Sequence, residues 1–283
     1  QARTALNGCG IQTAALAIGG RIVSGTPLSA LTELWNGSSW TEVNDTNTAR
    51  KQGGASGLST SAMYFNGTIP PGFVANAESW NGTNWTTVAN MGTARYRVGG
   101  AGTNNTSAAS FGGSDPAGLI AATEEWNTGV AIGAWSTGGN LNTARKSLAG
   151  AGIQTAALGF GGETPGDGDM NETESYNGTS WTEVNNLTTG RRSLMGAGTN
   201  TAALAFGGTT APFNVLTITE TWNGTNWAEV NDMNSARQQG GGTGATNTAC
   251  LGFGGYAPPG GRTANTEIWN GTNWTEVNNL NAA

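Results

Sequence analysis

The chain has 283 residues, a formal net charge of −6 and no histidine. Its 47 Gly, 41 Thr and 31 Asn, against only 11% charged residues, exclude a long-helical protein, because all three types are poor helix formers. No apolar run approaches the ~18 residues of a membrane helix, and the acidic balance disfavours nucleic acid as a partner.

The missing His removes His-based acid–base chemistry, the Ser-His-Asp triad and His-ligated metals. Eleven Trp argue for a packed core rather than disorder. The start, Gln1-Ala2-Arg3, has neither Met nor a leader, so the sequence reads as a mature form or part of a longer chain.

In chain order, six units of about 47 residues follow one another. Their expected boundaries are near 1–47, 48–92, 93–142, 143–188, 189–234 and 235–283, forming one domain. Each opens on an arginine: Arg3, Arg50, Arg95, Arg145, Arg191 and Arg237. A glycine pair follows, at Gly19-Gly20, Gly112-Gly113, Gly161-Gly162, Gly207-Gly208 and Gly254-Gly255, with Asn66-Gly67 in the second unit. Next come Glu and an aromatic two residues on: Glu33/Trp35, Glu78/Trp80, Glu124/Trp126, Glu174/Tyr176, Glu220/Trp222 and Glu267/Trp269. Trp40, Trp85, Trp135, Trp181, Trp227 and Trp274 close the units.

Within the fifth unit four strands are predicted, A at 193–198, B at 201–206, C at 217–222 and D at 226–231. Strand B alternates, with Ala202, Leu204 and Phe206 on one face and Ala203 and Ala205 on the other. A bulky face and a small-residue face let such sheets stack bulk into hollow. Asn223-Gly224 joins C to D, and Asn-Gly predicts a type I′ hairpin turn. The pair recurs from Asn36, Asn81, Asn177 and Asn270, while the third unit has a longer C–D link.

Four strands per unit, six times over, predict an all-β, six-bladed β-propeller with four antiparallel strands per blade. The set Phe206-Gly207-Gly208, Trp222, Trp227 and Arg237 resembles the kelch repeat, over essentially the whole chain. Asn66 for Gly, Tyr176 for Trp and Asn-Gly for an acidic turn are departures from it. The Trp-Asn-Gly-Thr-x-Trp-Thr-Glu-Val variety is similar to repeats of phage virion proteins and environmental bacterial surface proteins. That resemblance implies a virion or extracellular setting.

Repetition at equivalent positions assigns the Trp to core packing rather than sugar stacking. It assigns the repeat Arg and Glu to ion pairs or backbone hydrogen bonds rather than catalysis. Cys9 and Cys250 stand where other units have Ala and read as buried thiols, with a latch between the first and last blades as the alternative. Each blade comes from one contiguous unit, so closure is expected to rest on packing between those two blades. Asp167 and Asp169, near Glu163 and Glu172, read as solvated acids rather than a calcium site. No cofactor is implied.

Function is expected where the repeat fails. In an up-and-down blade the B–C and D–A links share one face. The B–C links at 21–32, 68–77, 114–123, 163–173, 209–219 and 256–266 all differ, as binding loops on a rigid scaffold do. Phe73, Tyr96, Phe213 and Tyr256 fall in B–C or D–A segments, and all six cations outside the repeat, Arg21, Lys51, Arg97, Lys146, Arg192 and Arg262, fall in B–C segments or just after the repeat Arg. These ten are the candidate ligand contacts, with aromatic rings stacking on sugars and cations pairing with acidic substituents.

The function read from this pattern is a non-enzymatic binding or adhesion module, extracellular or on a virion, for a surface glycan or a virion or cell-surface protein. The alternatives are a structural virion component and a carboxylate-based glycan hydrolase, which needs two carboxyl groups about 5–9.5 Å apart. Neither nucleic acid nor membrane insertion is implied.

Overall fold

Strand B sets the architecture. The computed structural model describes residues 1–22, 28–129, 133–166 and 168–281. In it, strand B of the fifth blade, Ala203–Phe206, is buried on both faces. Leu204 and Phe206 pack with Cys250, Trp269 and Trp274 of the sixth blade. Ala203 and Ala205 receive Leu158 and Phe160 of the fourth. Sheets with one bulky and one hollow face stack indefinitely, and six of them close into a ring. The described residues are all-β, without helices, and form a six-bladed β-propeller of four-stranded antiparallel blades.

Strand A is innermost, at Asn7–Ile11, Gly54–Leu58, Gly99–Asn104, Ala149–Ile153, Met195–Gly198 and Gly241–Thr246. Strand B follows at Ala14–Ile18, Ser61–Phe65, Ser107–Phe111, Ala156–Phe160, Ala203–Phe206 and Ala249–Phe253. Strand C lies at Thr32–Trp35, Ala77–Trp80, Thr123–Asn127, Thr173–Tyr176, Thr219–Trp222 and Thr266–Trp269. Strand D is outermost, at Trp40–Val43, Trp85–Val88, Ala134–Gly138, Trp181–Val184, Trp227–Val230 and Trp274–Val277. Glycine dominates strand A because six strands crowd the axis. A Cβ on Gly150 would lie 2.6 Å from the Gly100 carbonyl oxygen of the preceding blade.

The two aromatic positions of a unit face each other across C and D, as Trp222 opposite Trp227 does. In every blade but the second, where strand B of the preceding blade ends in Ile18, the D-strand Trp also meets the Phe ending strand B of the preceding blade, with ring centroids 4.9 Å apart for Trp227 and Phe160 and 4.8 Å for Trp40 and Phe253. Its indole N–H donates to a Thr hydroxyl opening strand C of that blade: Trp85 to Thr32, Trp181 to Thr123, Trp227 to Thr173, Trp274 to Thr219 and Trp40 to Thr266, at 2.9–3.1 Å. Trp135 breaks the series. The matching residue is Ala77, and the Trp135 indole nitrogen is buried without a partner among the described residues.

The Asn-Gly turns differ from the expected type I′ geometry. Trp35 pairs with Trp40 across a four-residue loop, in which only Gly37 has a positive φ, +93°. Asn36 works through its side chain, whose oxygen accepts the N–H groups of Ser38 and Ser39 at 2.9 Å. This is an Asx turn, which needs no left-handed Asn.

The closing seam is hydrogen-bonded as well as packed. Leu6, Ala15, Ala17, Trp35 and Trp40 form one core with Leu251, Phe253 and Leu280. Gly255 N–H donates to the Arg3 carbonyl at 2.7 Å, as Gly20 N–H does to Arg50 at 3.0 Å. Asn281 N–H reaches the Glu33 carboxylate at 2.8 Å, the bond Asn47 makes to Glu78 at 2.7 Å. The last blade therefore holds the first by the same bonds that join the others.

Candidate binding face

The repeat Arg and Glu fix the backbone from which the variable face grows. All six Arg side chains are fully buried. The pairs Arg3–Glu33, Arg50–Glu78, Arg95–Glu124 and Arg145–Glu174 lie at 2.7, 2.5, 3.2 and 3.1 Å, and Arg191–Glu220 and Arg237–Glu267 are paired likewise. Burial lowers the Arg95 pKa to about 10, with Glu124 opposing the shift. The guanidinium groups also donate to carbonyls flanking strands B and C, as Arg3 does to Gly19, just after strand B, at 3.0 Å and to Leu31, just before strand C, at 2.7 Å. Removing one partner of such a pair strands a buried charge.

Four positions per blade grow from these anchors. The entry residue follows the Arg and pairs with the hairpin residue that follows the glycine pair: Thr4 with Arg21, Lys51 with Thr68, Tyr96 with Ser114, Lys146 with Glu163, Arg192 with Thr209 and Gln238 with Tyr256. The hairpin residue pairs outward with a return residue, respectively Leu28, Phe73, Leu119, Asp169, Val215 and Arg262. One residue past the entry position lies the mouth residue: Ala5, Gln52, Arg97, Ser147, Ser193 or Gln239.

The mouth residues form a closed ring. All six have φ between 54° and 59°, a left-handed conformation that costs about 1–2 kcal/mol in a residue with a Cβ. Each N–H donates to the mouth carbonyl of the preceding blade, and Ala5 N–H closes the circle on Gln239 at 2.8 Å. All six line a pocket of about 100 Å³ at the axis. Identical backbone thus presents different side chains around one opening. Of the ten candidate contacts, only Arg97 lines this pocket. The ring was missed in the sequence, although its members stand at a constant offset of two from the repeat Arg.

The face is electrostatically lopsided. Glu163 is buried and takes Arg97 at 3.0 Å, Arg192 at 3.4 Å and Lys146 at 3.9 Å, with the Ser147 hydroxyl at 2.8 Å. Asp169 takes Arg192 at 3.1 Å and the Ala211 N–H at 2.5 Å. These acids are therefore engaged rather than solvated. Asp167, the other half of the weighed calcium loop, lies outside the described residues. On the opposite side Lys51 has no ion-pair partner among the described residues. Burial lowers its pKa, and Arg21, Arg97 and Arg262 lower it further.

The candidate aromatics are brought together in two pairs. Phe73 and Tyr96 stack at 4.6 Å with planes 13° apart, and the Arg97 guanidinium lies 5.4 Å from the Tyr96 ring centre. Phe213, 65% exposed, meets Tyr256 edge-on at 6.4 Å. The other end of the channel is apolar, lined in part by Ile11, Leu58 and Ile153 around about 280 Å³. Leu58 and Ile153 are both exposed, and neither was singled out in the sequence.

Among the described residues no group of three His, Cys, Asp or Glu is placed to hold a metal ion. Cys9 and Cys250 are both buried free thiols. Cys9 packs against the second blade and Cys250 against the fifth, so adjacency of their blades does not bring them together. No protein-family model matches the sequence, and no curated protein matches it.

Proposed function

We propose that this chain is a kelch-like propeller acting as a non-enzymatic binding or adhesion module on a virion appendage or bacterial surface. It recognises a surface glycan or a surface protein through the face built by its B–C and D–A links. The observation that carries this reading is the mouth ring, where one backbone geometry repeats around an opening while the side chains change from blade to blade. Packing alone has no use for that variety, whereas recognition does. Exposed Phe213 beside Tyr256 supplies an aromatic platform, and Gln52, Ser147, Ser193 and Gln239 supply groups suited to sugar hydroxyls.

The test is binding of the purified chain to a bacterial-glycan array and to whole cells, beside a folded Phe73→Ala, Phe213→Ala, Tyr256→Ala variant. Loss of binding in the variant is the expected result. Binding that survives the triple change moves the site off these aromatics. No binding by either protein overturns the adhesin reading in favour of a structural virion component held by other virion proteins.

A further inference from the structure

The six cations outside the repeat, scattered in sequence, fall into two sets in space. Lys146 and Arg192 are held by Glu163 and Asp169, and Arg97, at the inner end of the second set, also pairs with Glu163 at 3.0 Å. The other four form a line. Arg262 is the return residue of the sixth blade, Arg21 the hairpin residue of the first, Lys51 the entry residue of the second and Arg97 the mouth residue of the third. Each stands one blade onward and one position inward from the last. The line runs from the rim of the face to the axial pocket that Arg97 lines.

Diagonal neighbours on this face are close. The same step elsewhere, from hairpin residue Glu163 to entry residue Arg192, is an ion pair at 3.4 Å. Along the cationic line that step joins Arg21 to Lys51, and like charge meets like charge. Electrostatics tie the members together: Arg21 acts on Arg262, and Arg21, Arg97 and Arg262 all act on Lys51. Neither Lys51 nor Arg262 has an ion-pair partner among the described residues. A fold of net charge −6 that places Lys51 and Arg262 in such a line leaves their counter-charge to a ligand.

We infer that this diagonal is a track for an anionic polysaccharide, whose acidic groups pair with Arg262, Arg21 and Lys51 while one sugar unit enters the mouth beside Arg97. The inference rests on the binding face proposed above and names its ligand class. An extended chain fits because the cations lie in a line rather than around a single point. A sugar fits better than an acidic peptide because Gln52, Gln239, Ser147 and Ser193 surround the inner end with uncharged donors and acceptors suited to hydroxyl groups. Nucleic acid is disfavoured, since its dense phosphates would meet the overall negative charge of the protein.

The experiment measures binding of the full chain to polygalacturonate, dextran sulfate and polyglycerol phosphate, three polymers that distinguish carboxylate, sulfate and phosphate. Neutral dextran and poly-L-glutamate are run alongside. The expected result is binding to at least one of the three acidic polymers, weakened at least tenfold between 50 and 200 mM NaCl. Lys51→Gln and Arg262→Gln should each weaken it about fivefold to tenfold, and Lys146→Gln, on the neutralised side, less than twofold. Dextran bound as tightly, with both variants unchanged, overturns the anionic class and leaves the binding face standing. Poly-L-glutamate bound as tightly as the best polysaccharide overturns the sugar assignment. Failure of all three acidic polymers overturns the track. If neutral array glycans still bind in that case, the face survives, and if nothing binds, it falls too.

Discussion

Trp135 offers a repair built into the repeat. Five D-strand Trp donate to a Thr hydroxyl of the neighbouring blade, and Trp135 has Ala77 there and a buried indole nitrogen with no partner among the described residues. Ala77→Thr supplies the missing acceptor in a backbone setting that the other blades share. A neutral hydrogen bond contributes about 0.5–1.5 kcal/mol net, and relief of an orphaned donor can bring the gain toward 2 kcal/mol. With an unfolding entropy near 2.1 cal/mol/K per residue, about 0.6 kcal/mol/K for this chain, 1–2 kcal/mol raises Tm by about 2–3 °C. The assay is thermal and urea unfolding of the wild type, Ala77→Thr, Ala77→Val and Ala77→Thr in a Trp135→Phe background. The gain should appear in the Thr variant and vanish without the indole. An equal gain from Val would refute the hydrogen-bond account in favour of simple filling. A loss in the Thr variant would refute the equivalence of the blades at this position.

Arg191→Met leaves Glu220 buried and unpaired and should cost about 3–5 kcal/mol in urea unfolding; a cost below ~1 kcal/mol would mean the pair adds little. Gly150→Ala drives a Cβ against the Gly100 carbonyl and should cost about 1–3 kcal/mol, whereas Gly129→Ala, with nothing within 4 Å of its added Cβ among the described residues, should stay within about 0.5 kcal/mol of wild type. Cys9 and Cys250 should resist iodoacetamide at pH 8 until the chain unfolds, and rapid labelling of the native protein would contradict their burial. Burial also pushes the Cys9 thiol up from 9.0 to about 12. The unfolded thiol ionises first, so the stability Cys9 contributes should be intact below pH 9 and be lost progressively from there to about 12.

The fold was legible because its determinants repeat. The alternation of 201–206, the glycine pairs and the paired aromatics each recur at fixed spacing, so six weak signals add into one strong one. The Asn-Gly turn was misjudged because the rule for that dipeptide assumes a left-handed Asn, whereas here the Asn side chain organises the loop. The face was located by the links that fail to repeat, but its internal order was not. The neutralising role of Glu163 depends on side chains from the third and fifth blades, a relation with no sequence signature. The mouth ring was overlooked because Ala5, Gln52, Arg97, Ser147, Ser193 and Gln239 share a conformation and a hydrogen bond but no residue type.

Scaffold and face are joined at single-residue distance. The entry position directly follows the buried Arg, and the hairpin position directly follows the glycine pair whose backbone bonds the Arg of the next blade. In the first blade Arg3 grips Gly19 and Leu31 as well as Glu33, so one guanidinium holds both backbone runs that carry the variable residues. Side chains so placed have little freedom to move apart. Lys51, Arg21 and Arg262 are kept close by backbone that the Arg–Glu pairs and the mouth ring hold still, and the repulsion they exert on Lys51 is carried by the stability of the fold. A ligand that neutralises them gains from charges already in position, because the entropy of gathering them has been spent in folding. Loosening the scaffold at Arg50, one residue from Lys51, should therefore weaken binding without touching any ligand contact.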